Sequence, residues 1–152
     1  MQIVLVEPEI PQNTGSIART CAATNSSLHL VGKLGFEISE KSVRRAGLDY
    51  WPFVNLTQHT DWQQYLEAAK PQQLWFFSKY GTAEYWDAPF SPTDALVFGS
   101  ETKGLGRDFL ARYEPTKILR IPIWCQGVRS LNLSNAVSIG LYEALRQTRS
   151  YS

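Results

Sequence analysis

The sequence has few of the residues that mark a metalloprotein, a disulfide-stapled protein or a membrane protein. It contains two cysteines, Cys21 and Cys125, and two histidines, and these form no CxxC motif or Cys/His cluster. A zinc site and a disulfide framework are therefore not expected, and two isolated thiols fit a reducing cytoplasm. No apolar run approaches the ~20 residues that a membrane-spanning helix needs, and the first eight residues lack the basic start and apolar stretch of a signal peptide.

An excess of charge of one sign is missing as well. Fifteen basic residues stand against fourteen acidic ones, and 43% of the 152 residues are hydrophobic. This composition is typical of a globular protein and not of a disordered one. It also disfavours a protein that coats nucleic acid with a uniformly basic surface. The length predicts a single domain over residues 1–152.

Short apolar runs alternate with segments of helical pattern along the chain. Strands are expected at residues 3–6, 28–32, 73–77, 95–99 and 117–121. Helices are expected at residues 16–24, 39–46, 61–70 and 132–149. In the last helix, apolar residues repeat every four positions on one face. Strands separated by helices predict an α/β fold, with a mainly parallel sheet that helices cover on both faces.

The two histidines carry no catalytic pattern. His29 is expected in the second strand and His59 at the start of a helix. Neither is paired with a cysteine or carboxylate motif. The sequence therefore gives no support for metal catalysis or for a Ser/His triad.

The loops after the predicted strands are the first places to look for a site, because ligands of parallel sheets bind beyond the carboxyl ends of the strands. Residues 11–19 follow the first strand and read most simply as a turn in which Asn13 or Thr14 caps a helix. The presence of Arg19 indicates that this segment does more than cap a helix. Its neighbours are small or apolar, so its guanidinium is expected to need a partner, and a phosphate would serve.

A second loop, at residues 98–106, contains three glycines directly after an apolar strand. Glycines permit turns that other residues resist and let a ligand approach the main chain. The pattern matches neither the dinucleotide-binding fingerprint nor the phosphate-binding P-loop. Taken alone, it predicts a loop and nothing more.

A third loop joins an Ile-Pro-Ile segment at residues 121–123 to a polar stretch at residues 129–137. Ser130 or Asn132 can cap the last helix, which is the simplest interpretation. The stretch nevertheless has more Arg, Ser and Asn side chains than a cap requires. Such side chains, beside the free N–H groups of a helix N-terminus, suit an anion or a carboxylate.

In order and spacing these segments resemble the motifs of the SPOUT class of RNA methyltransferases, within the TrmH superfamily, and most closely its branch that methylates ribose 2′-hydroxyls of tRNA. The resemblance covers nearly the whole chain and rests on residues 7–19, 44–50, 98–105, 121–123 and 129–137. It implies that the C-terminal segment threads a trefoil knot, an exception to the rule that chains do not thread loops.

The resemblance also implies a biochemical setting. The cofactor would be S-adenosyl-L-methionine, and the acceptor would be the ribose of the wobble nucleotide in a tRNA anticodon stem-loop, leucine isoacceptors among the candidates. The protein would be a cytoplasmic homodimer with each active site near the interface, without a metal and without a membrane.

Individual residues receive roles by the same resemblance. Arg19 would contact the RNA phosphate or ribose, and because arginine stays protonated we expect it to position the RNA and stabilise charge. The other residues of the expected catalytic set are Asn13, Glu101, Ser130 and Asn132. The residues expected to line the cofactor pocket are Phe77, Gly99, Leu105, Ile121, Ile123, Ser130 and Leu131. The residues expected to contact RNA are Arg19, Arg44, Arg45 and Arg129.

Two features of the stretch at residues 124–128 depart from the family pattern. The stretch at residues 124–128 is about one residue longer than usual in the family and carries Trp124 where polar residues are common. Arg44 and Arg45 can also be read as a solvated helix face. The alternatives for function are a non-catalytic RNA-binding module and a methyltransferase of another RNA or of a base. Arg19, Ser130 and Asn132 together disfavour the first, whereas substrate choice depends on surface residues that a single sequence does not decode.

Overall fold

A computed structural model describes residues 1–38 and 49–149 of the chain. The strands in this part are β1 Gln2–Val6, β2 Ser27–Val31, β3 Asn55–His59, β4 Leu74–Phe77, β5 Ala83–Glu84, β6 Ala95–Phe98 and β7 Ile118–Arg120. The helices are α1 Pro11–Thr24, α2 Trp62–Ala69, α3 Arg107–Leu110 and α4 Leu133–Thr148, with 3₁₀ turns at Trp51–Phe53, Tyr85–Asp87 and Pro115–Lys117. The helix expected at residues 39–46, and with it Arg44 and Arg45, lies outside the described residues.

The strands form one parallel sheet in the order β3-β2-β1-β6-β4-β7-β5. The expected α/β fold with a mainly parallel sheet is therefore confirmed. The central strands β1 and β6 lie side by side, with Leu5 opposite Phe98, and β4 pairs with β6 so that Phe77 also lies opposite Phe98. Parallel strands all end at the same edge, so the loops that follow β1, β4, β6 and β7 meet there.

The sheet separates two apolar clusters because successive side chains of a strand point to opposite faces. Ile3 and Leu5 of β1 pack on the face that α1 and α4 cover, whereas Val4 packs on the other face with Tyr65 of α2. All three β1 side chains are fully buried. The short apolar run at the start of the sequence is thus a strand buried on both faces, as predicted.

Helix α1 begins earlier than the sequence indicated, and the capping prediction for it was wrong. Pro11 occupies the first turn, where its missing N–H is not needed, and the N-cap is Ile10, which offers no side-chain cap. Asn13 is consequently inside the helix and not at its start. By contrast, Asn132 does cap α4, because its Oδ1 accepts from the backbone N–H groups of Ser134 and Asn135.

Strand β3 was not predicted, and His59, expected at a helix start, is its last residue. The strand reads Asn-Leu-Thr-Gln-His and is mostly exposed. It lies at an edge of the sheet, where a strand needs few apolar side chains, so its pattern is weak. Helix α2 begins shortly afterwards at Trp62, after Asp61 caps it by accepting from the N–H of Gln64.

The position of His59 creates a histidine pair on the sheet. Nδ1 of His29 lies 2.9 Å from Nε2 of His59, and Nε2 of His29 lies 3.1 Å from the Ser27 hydroxyl. Tyr65 packs edge-on against both rings. A hydrogen bond between two imidazoles needs one nitrogen to accept, so it requires at least one neutral ring.

We expect the free energy of unfolding to fall by about 1–2 kcal/mol as the pH drops from about 6.5 to about 4. Burial, assisted by His59, lowers the pKa of His29 to about 4, and burial also lowers the pKa of His59. Unfolded imidazoles titrate near pH ~6.5, so within this window the unfolded chain binds more protons. The stability that the neutral histidine pair contributes is therefore fully present above about pH 6.5 and is lost as the pH falls to about 4.

Urea unfolding of the wild type and of His29→Phe at several pH values tests this expectation. Carboxylates contribute to the acid loss in both proteins, so the informative quantity is the difference between the two curves. The free energy of unfolding of the variant should depend less on pH between pH 4 and 6.5 than that of the wild type. Equal slopes of the two curves would contradict the role given to His29.

Candidate active site

A cavity of about 510 Å³ opens at the edge where β4, β6 and β7 end. Its size falls in the range of small-molecule sites, roughly 300–1,000 Å³. The loops after those three strands supply most of its wall, together with the starts of α1 and α4. The lining residues from the β4 and β6 ends are Phe77, Ser78, Lys79, Tyr80, Phe98, Gly99, Ser100, Glu101, Thr102, Lys103, Gly104 and Leu105. The others are Ile10, Asn13, Ile121, Ile123, Arg129, Ser130, Leu131, Asn132, Leu133 and Ala136.

Nearly all of the residues predicted from the sequence meet at this cavity. The seven residues expected around the cofactor all line it, from Phe77 to Leu131. Four further predicted residues line it as well, namely Asn13, Glu101, Asn132 and Arg129. Of the predicted residues within 1–38 and 49–149, Arg19 alone does not line the cavity.

The Glu101 carboxylate joins the loop after β6 to the start of α1. Its two oxygens accept from the backbone N–H groups of Glu9, at 2.9 Å, and Ile10, at 2.6 Å. It also accepts from the side-chain amide of Asn13, at 3.2 Å. The first N–H groups of a helix have no partner inside the helix, and a carboxylate beside them is stabilised by the helix dipole. Both N–H groups belong to the residues just before α1, so Glu101 fixes the entry to the helix and places a carboxylate beside its N-terminus.

The same chain of hydrogen bonds continues to α4. The side-chain amide of Asn132 donates to Oδ1 of Asn13 at 3.1 Å, while Oδ1 of Asn132 caps α4. Glu101, Asn13 and Asn132 thus form a continuous polar link, called here the Glu–Asn–Asn link, between three loops that are distant in sequence. Asn13, in the middle of this link, is 8% exposed, whereas Asn132 at its end is exposed, so only the hydrogen bonds of Asn13 are partly shielded from water and strengthened accordingly.

Glu9 provides a second tie across the same gap. Its Oε1 accepts from the Thr102 hydroxyl at 2.6 Å. This hydrogen bond, with a further one from Ser100, lowers the pKa of Glu9. Both carboxylates at this edge are thus occupied by donors of neighbouring loops, which suits them to holding those loops in position.

The loop after β6 folds back on itself through two glycines. Ser100 and Gly104 form an isolated bridge, and the N–H of Gly104 donates to the carbonyl of Ser100. A Cβ atom at Gly99 would lie 2.0 Å from the carbonyl carbon of Gly104, so no other residue fits. Gly104 itself has φ of +61°, a conformation that glycine adopts without strain. The bare backbone of this loop thereby borders the cavity.

Stacked aromatic rings support the cavity from the core side. Phe77 and Phe98 stack with their centroids 4.6 Å apart. Helix α4 approaches Phe77 closely at Gly140, where a Cβ would lie 2.8 Å from the ring. The cavity therefore has a rigid apolar floor and a rim of polar loop residues.

Arg19 lies on the solvent face of α1, outside the cavity. It is exposed, and its guanidinium carbon lies 5.8 Å from the centroid of the Tyr50 ring. The expectation that small and apolar neighbours would bury it was wrong, because adjacent residues of a helix point in different directions. Ala18 and Cys21 face the core while Arg19 does not. It is also six residues beyond Asn13, roughly 9 Å along the helix axis.

Sequence reasoning missed several residues of the rim. Ser78, Lys79 and Tyr80 line the cavity, yet no motif pointed to them. Their place directly after β4 was the available signal, since the carboxyl ends of parallel strands bear ligand sites. Trp124, noted as unusual, is 84% exposed and follows the cavity residue Ile123.

The described part of the chain contains neither a metal-binding cluster nor a membrane-spanning helix. No group of three or more histidine, cysteine or acidic side chains within residues 1–38 and 49–149 is arranged to hold a metal ion. In the same part of the chain, no helix combines the length and the apolar character needed to cross a membrane.

Comparison with known proteins places this geometry in a family. The chain is 45% identical over 147 residues to the tRNA (cytidine(34)-2′-O)-methyltransferase of Escherichia coli strain K12, and the match covers 97% of this chain and 93% of that protein. A solved structure reported as giving insights into the 2-OH methylation of C/U34 on tRNA superposes with a TM-score of 0.88 at 46% identity, covering 96% of this chain and 94% of that one.

A more distant structure shows a bound cofactor. The AdoMet-bound rRNA methyltransferase from Sinorhizobium meliloti superposes with a TM-score of 0.81 at 27% identity, and the match covers 98% of this chain and 57% of that one. The family model described as SpoU rRNA Methylase matches residues 1–142. The chain belongs to the SpoU rRNA methylase family.

Proposed function

We propose that this protein transfers a methyl group from S-adenosyl-L-methionine to the ribose 2′-hydroxyl of nucleotide 34, a cytidine or uridine, in a tRNA. The observation that carries the proposal is the meeting of the loops after β1, β4, β6 and β7 around one cavity of about 510 Å³. Relatives with the same reaction in their names match this chain over nearly their full length. The anticodon stem-loop is the expected part of the tRNA, leucine isoacceptors among the candidates.

The lining of the cavity fits S-adenosyl-L-methionine chemically. The adenine and the carbon chain of this cofactor need apolar walls, which Phe77, Ile121 and Leu131 supply. Its amino-acid end is charged and needs polar partners, which Ser100, Thr102 and the bare backbone at Gly99 can offer. Concave, mainly apolar sites with a few placed polar groups are typical of cofactor pockets.

The reaction needs little covalent chemistry from the protein. S-adenosyl-L-methionine, when bound, supplies a methyl group already activated on a sulfonium, so the protein must align the 2′-hydroxyl with it while the hydroxyl proton passes to water at the open mouth of the cavity. In this proposal Ser130, exposed at the mouth of the cavity, donates a hydrogen bond to the ribose. The Glu–Asn–Asn link keeps Ser130 in place because Asn132, two residues on, is anchored to Asn13.

Arg19 would position the RNA and stabilise negative charge on the ribose oxygen. An arginine keeps its proton at any ordinary pH, so it is a poor base, but its planar guanidinium holds phosphate and ribose oxygens well. Arg129 lines the cavity and would contact the RNA from the other side. Glu101, whose oxygens already accept from Glu9, Ile10 and Asn13, would act by position only.

The distance of Arg19 from the cavity supports a homodimer in which each site uses the partner's Arg19. Helix α1 packs against α4, and α4 exposes Ile139 and Tyr142, which are 37% and 56% exposed. Exposed apolar side chains on a helix that packs against the helix carrying Arg19 suit a twofold interface, which would bring Arg19 to the cavity of the other protomer. We further propose that the segment after β7 threads a trefoil knot; the return of residues 121–133 to the cavity bordered by residues 99–105 supports this.

Incubation with labelled S-adenosyl-L-methionine and total tRNA should yield a 2′-O-methylated cytidine or uridine at position 34, identified by nucleoside mapping. Arg19→Ala should lower the rate about 100-fold or more, because charge stabilisation in the transition state is lost. Its affinity for the cofactor, measured by calorimetry, should change less than about twofold. Arg112→Ala removes an exposed arginine outside the cavity and is the control. Label at another position, or full activity of Arg19→Ala, would contradict the proposal.

A mixed dimer tests whether the site is shared between protomers. Ser130→Trp should fill the cavity mouth without disturbing the core, because Ser130 is exposed. Each single variant should be inactive as a homodimer. A doubly tagged dimer of Arg19→Ala with Ser130→Trp should regain about half of the wild-type rate, since one of its two sites is intact. An inactive mixed dimer, or a monomer in light scattering, would rule out the shared site.

A further inference from the structure

Two cationic side chains lie against an aromatic ring at the rim of the cavity. The guanidinium carbon of Arg107 lies 4.5 Å from the centroid of the Tyr80 ring, and Nζ of Lys79 lies 5.2 Å from it. Tyr80 and Lys79 line the cavity, and Arg107 is the first residue of α3. We call Lys79, Tyr80 and Arg107 the cationic platform.

The platform is accessible and its charges are not neutralised by acids. Tyr80 is 38% exposed, and Lys79 and Arg107 are exposed as well. Within residues 1–38 and 49–149, neither cation forms an ion pair with a carboxylate. The acidic residue that shares the cavity, Glu101, is directed to the start of α1. The rim at this point is thus locally positive although the whole chain has a net charge of only +1.

The backbone beneath the platform is held tightly. The N–H of Tyr80 donates to the Ser78 hydroxyl at 3.1 Å, and the N–H of Gly81 donates to the Ser78 carbonyl at 3.0 Å. Gly81 packs so closely on β7 that a Cβ there would lie 2.4 Å from the carbonyl carbon of Leu119. The backbone that carries the Tyr80 ring is therefore held near the cavity mouth before any ligand arrives, which lowers the entropy cost of binding there.

We propose that the cationic platform is an RNA contact, on which a nucleobase adjacent to the methylated nucleotide stacks while Lys79 and Arg107 bind flanking phosphates. Unpaired bases stack on aromatic rings and on arginine guanidinium planes, and the platform contains one of each. Lysine and arginine beside the ring supply the phosphate contacts that dominate affinity for nucleic acids. The inference rests on the proposed function and assigns residues of the same site to its substrate.

The electrostatics of Tyr80 agree with this assignment. A hydrogen bond from Arg107, followed by the charge of Lys79, lowers the pKa of the Tyr80 phenol. Both cations therefore lie close enough to polarise the hydroxyl. A second cationic group on the same rim, Lys103 and Arg129, would extend the positive surface around the mouth.

The test measures binding of unmodified bulk tRNA, and of a short anticodon stem-loop RNA, to the full chain at several KCl concentrations. Tyr80→Ala should raise the Kd about tenfold, because base stacking on an aromatic ring is lost, whereas Tyr80→Phe should stay within about threefold of the wild type. Arg107→Gln should weaken binding and reduce the slope of log Kd against log salt by about one. Arg112→Gln is the matched control, since Arg112 also lies against an aromatic ring, 4.7 Å from the Phe109 centroid, but away from the cavity.

Affinity for S-adenosyl-L-methionine is measured on the same proteins and should be unchanged. Loss of cofactor affinity without loss of RNA affinity would show that the platform serves the cofactor and would overturn the inference. Unchanged RNA binding in Tyr80→Ala and Arg107→Gln would overturn it as well, while tRNA methylation by the wild type would leave the proposed function intact. Failure of the wild type to bind or methylate tRNA would instead refute the proposed function.

Discussion

The Glu–Asn–Asn link is the interaction on which the candidate site depends. Glu101 holds the N-terminal end of α1, Asn13 lies between, and Asn132 caps α4 while reaching back to Asn13. Asn13 is the buried member of the link, so removing Glu101 or Asn132 would leave its side-chain amide without one of its partners. The link fixes three loops relative to one another, and the cavity is the space between them. Glu101, Asn13 and Asn132, which the sequence motifs suggested as catalytic residues, therefore act in the structure mainly by holding the loops of the site in position.

A chain with a net charge near zero can still present a positive surface at the rim of its candidate site. The link and the tie between Glu9 and Thr102 hold the acidic side chains of this edge in hydrogen bonds to neighbouring loops. Lys79 and Arg107 remain at the rim without acidic partners among the described residues. Electrostatic attraction of a polyanion depends on this local arrangement and much less on the total charge. The composition argued against a protein that coats nucleic acid, and it does not argue against one that binds RNA at one edge.

The sequence predicted the strands with strong apolar runs and missed those without them. β1 and β6 are central and buried on both faces, so their residues have to be apolar. β3 lies at the edge and β5 has two residues, and neither leaves a readable pattern. The cavity residues inside motifs could be predicted as well, because the motif loops need particular glycines and polar side chains. Tyr80 was not found, because its importance comes from what lies beside it and not from its neighbours in the chain.

The sequence by itself determined the parallel α/β architecture, the polar loops and the family, because apolar periodicity and motif order are properties of the chain. Only the tertiary structure decided which side chains meet. Asn13, predicted as a cap, lies inside α1 and ties two loops together. Arg19, predicted as buried and central, is exposed on the far side of the same helix. The physical reason is geometric: a helix turns each residue by about 100°, so residues six positions apart in one motif face different surroundings, while residues more than eighty positions apart share one hydrogen-bonded cavity.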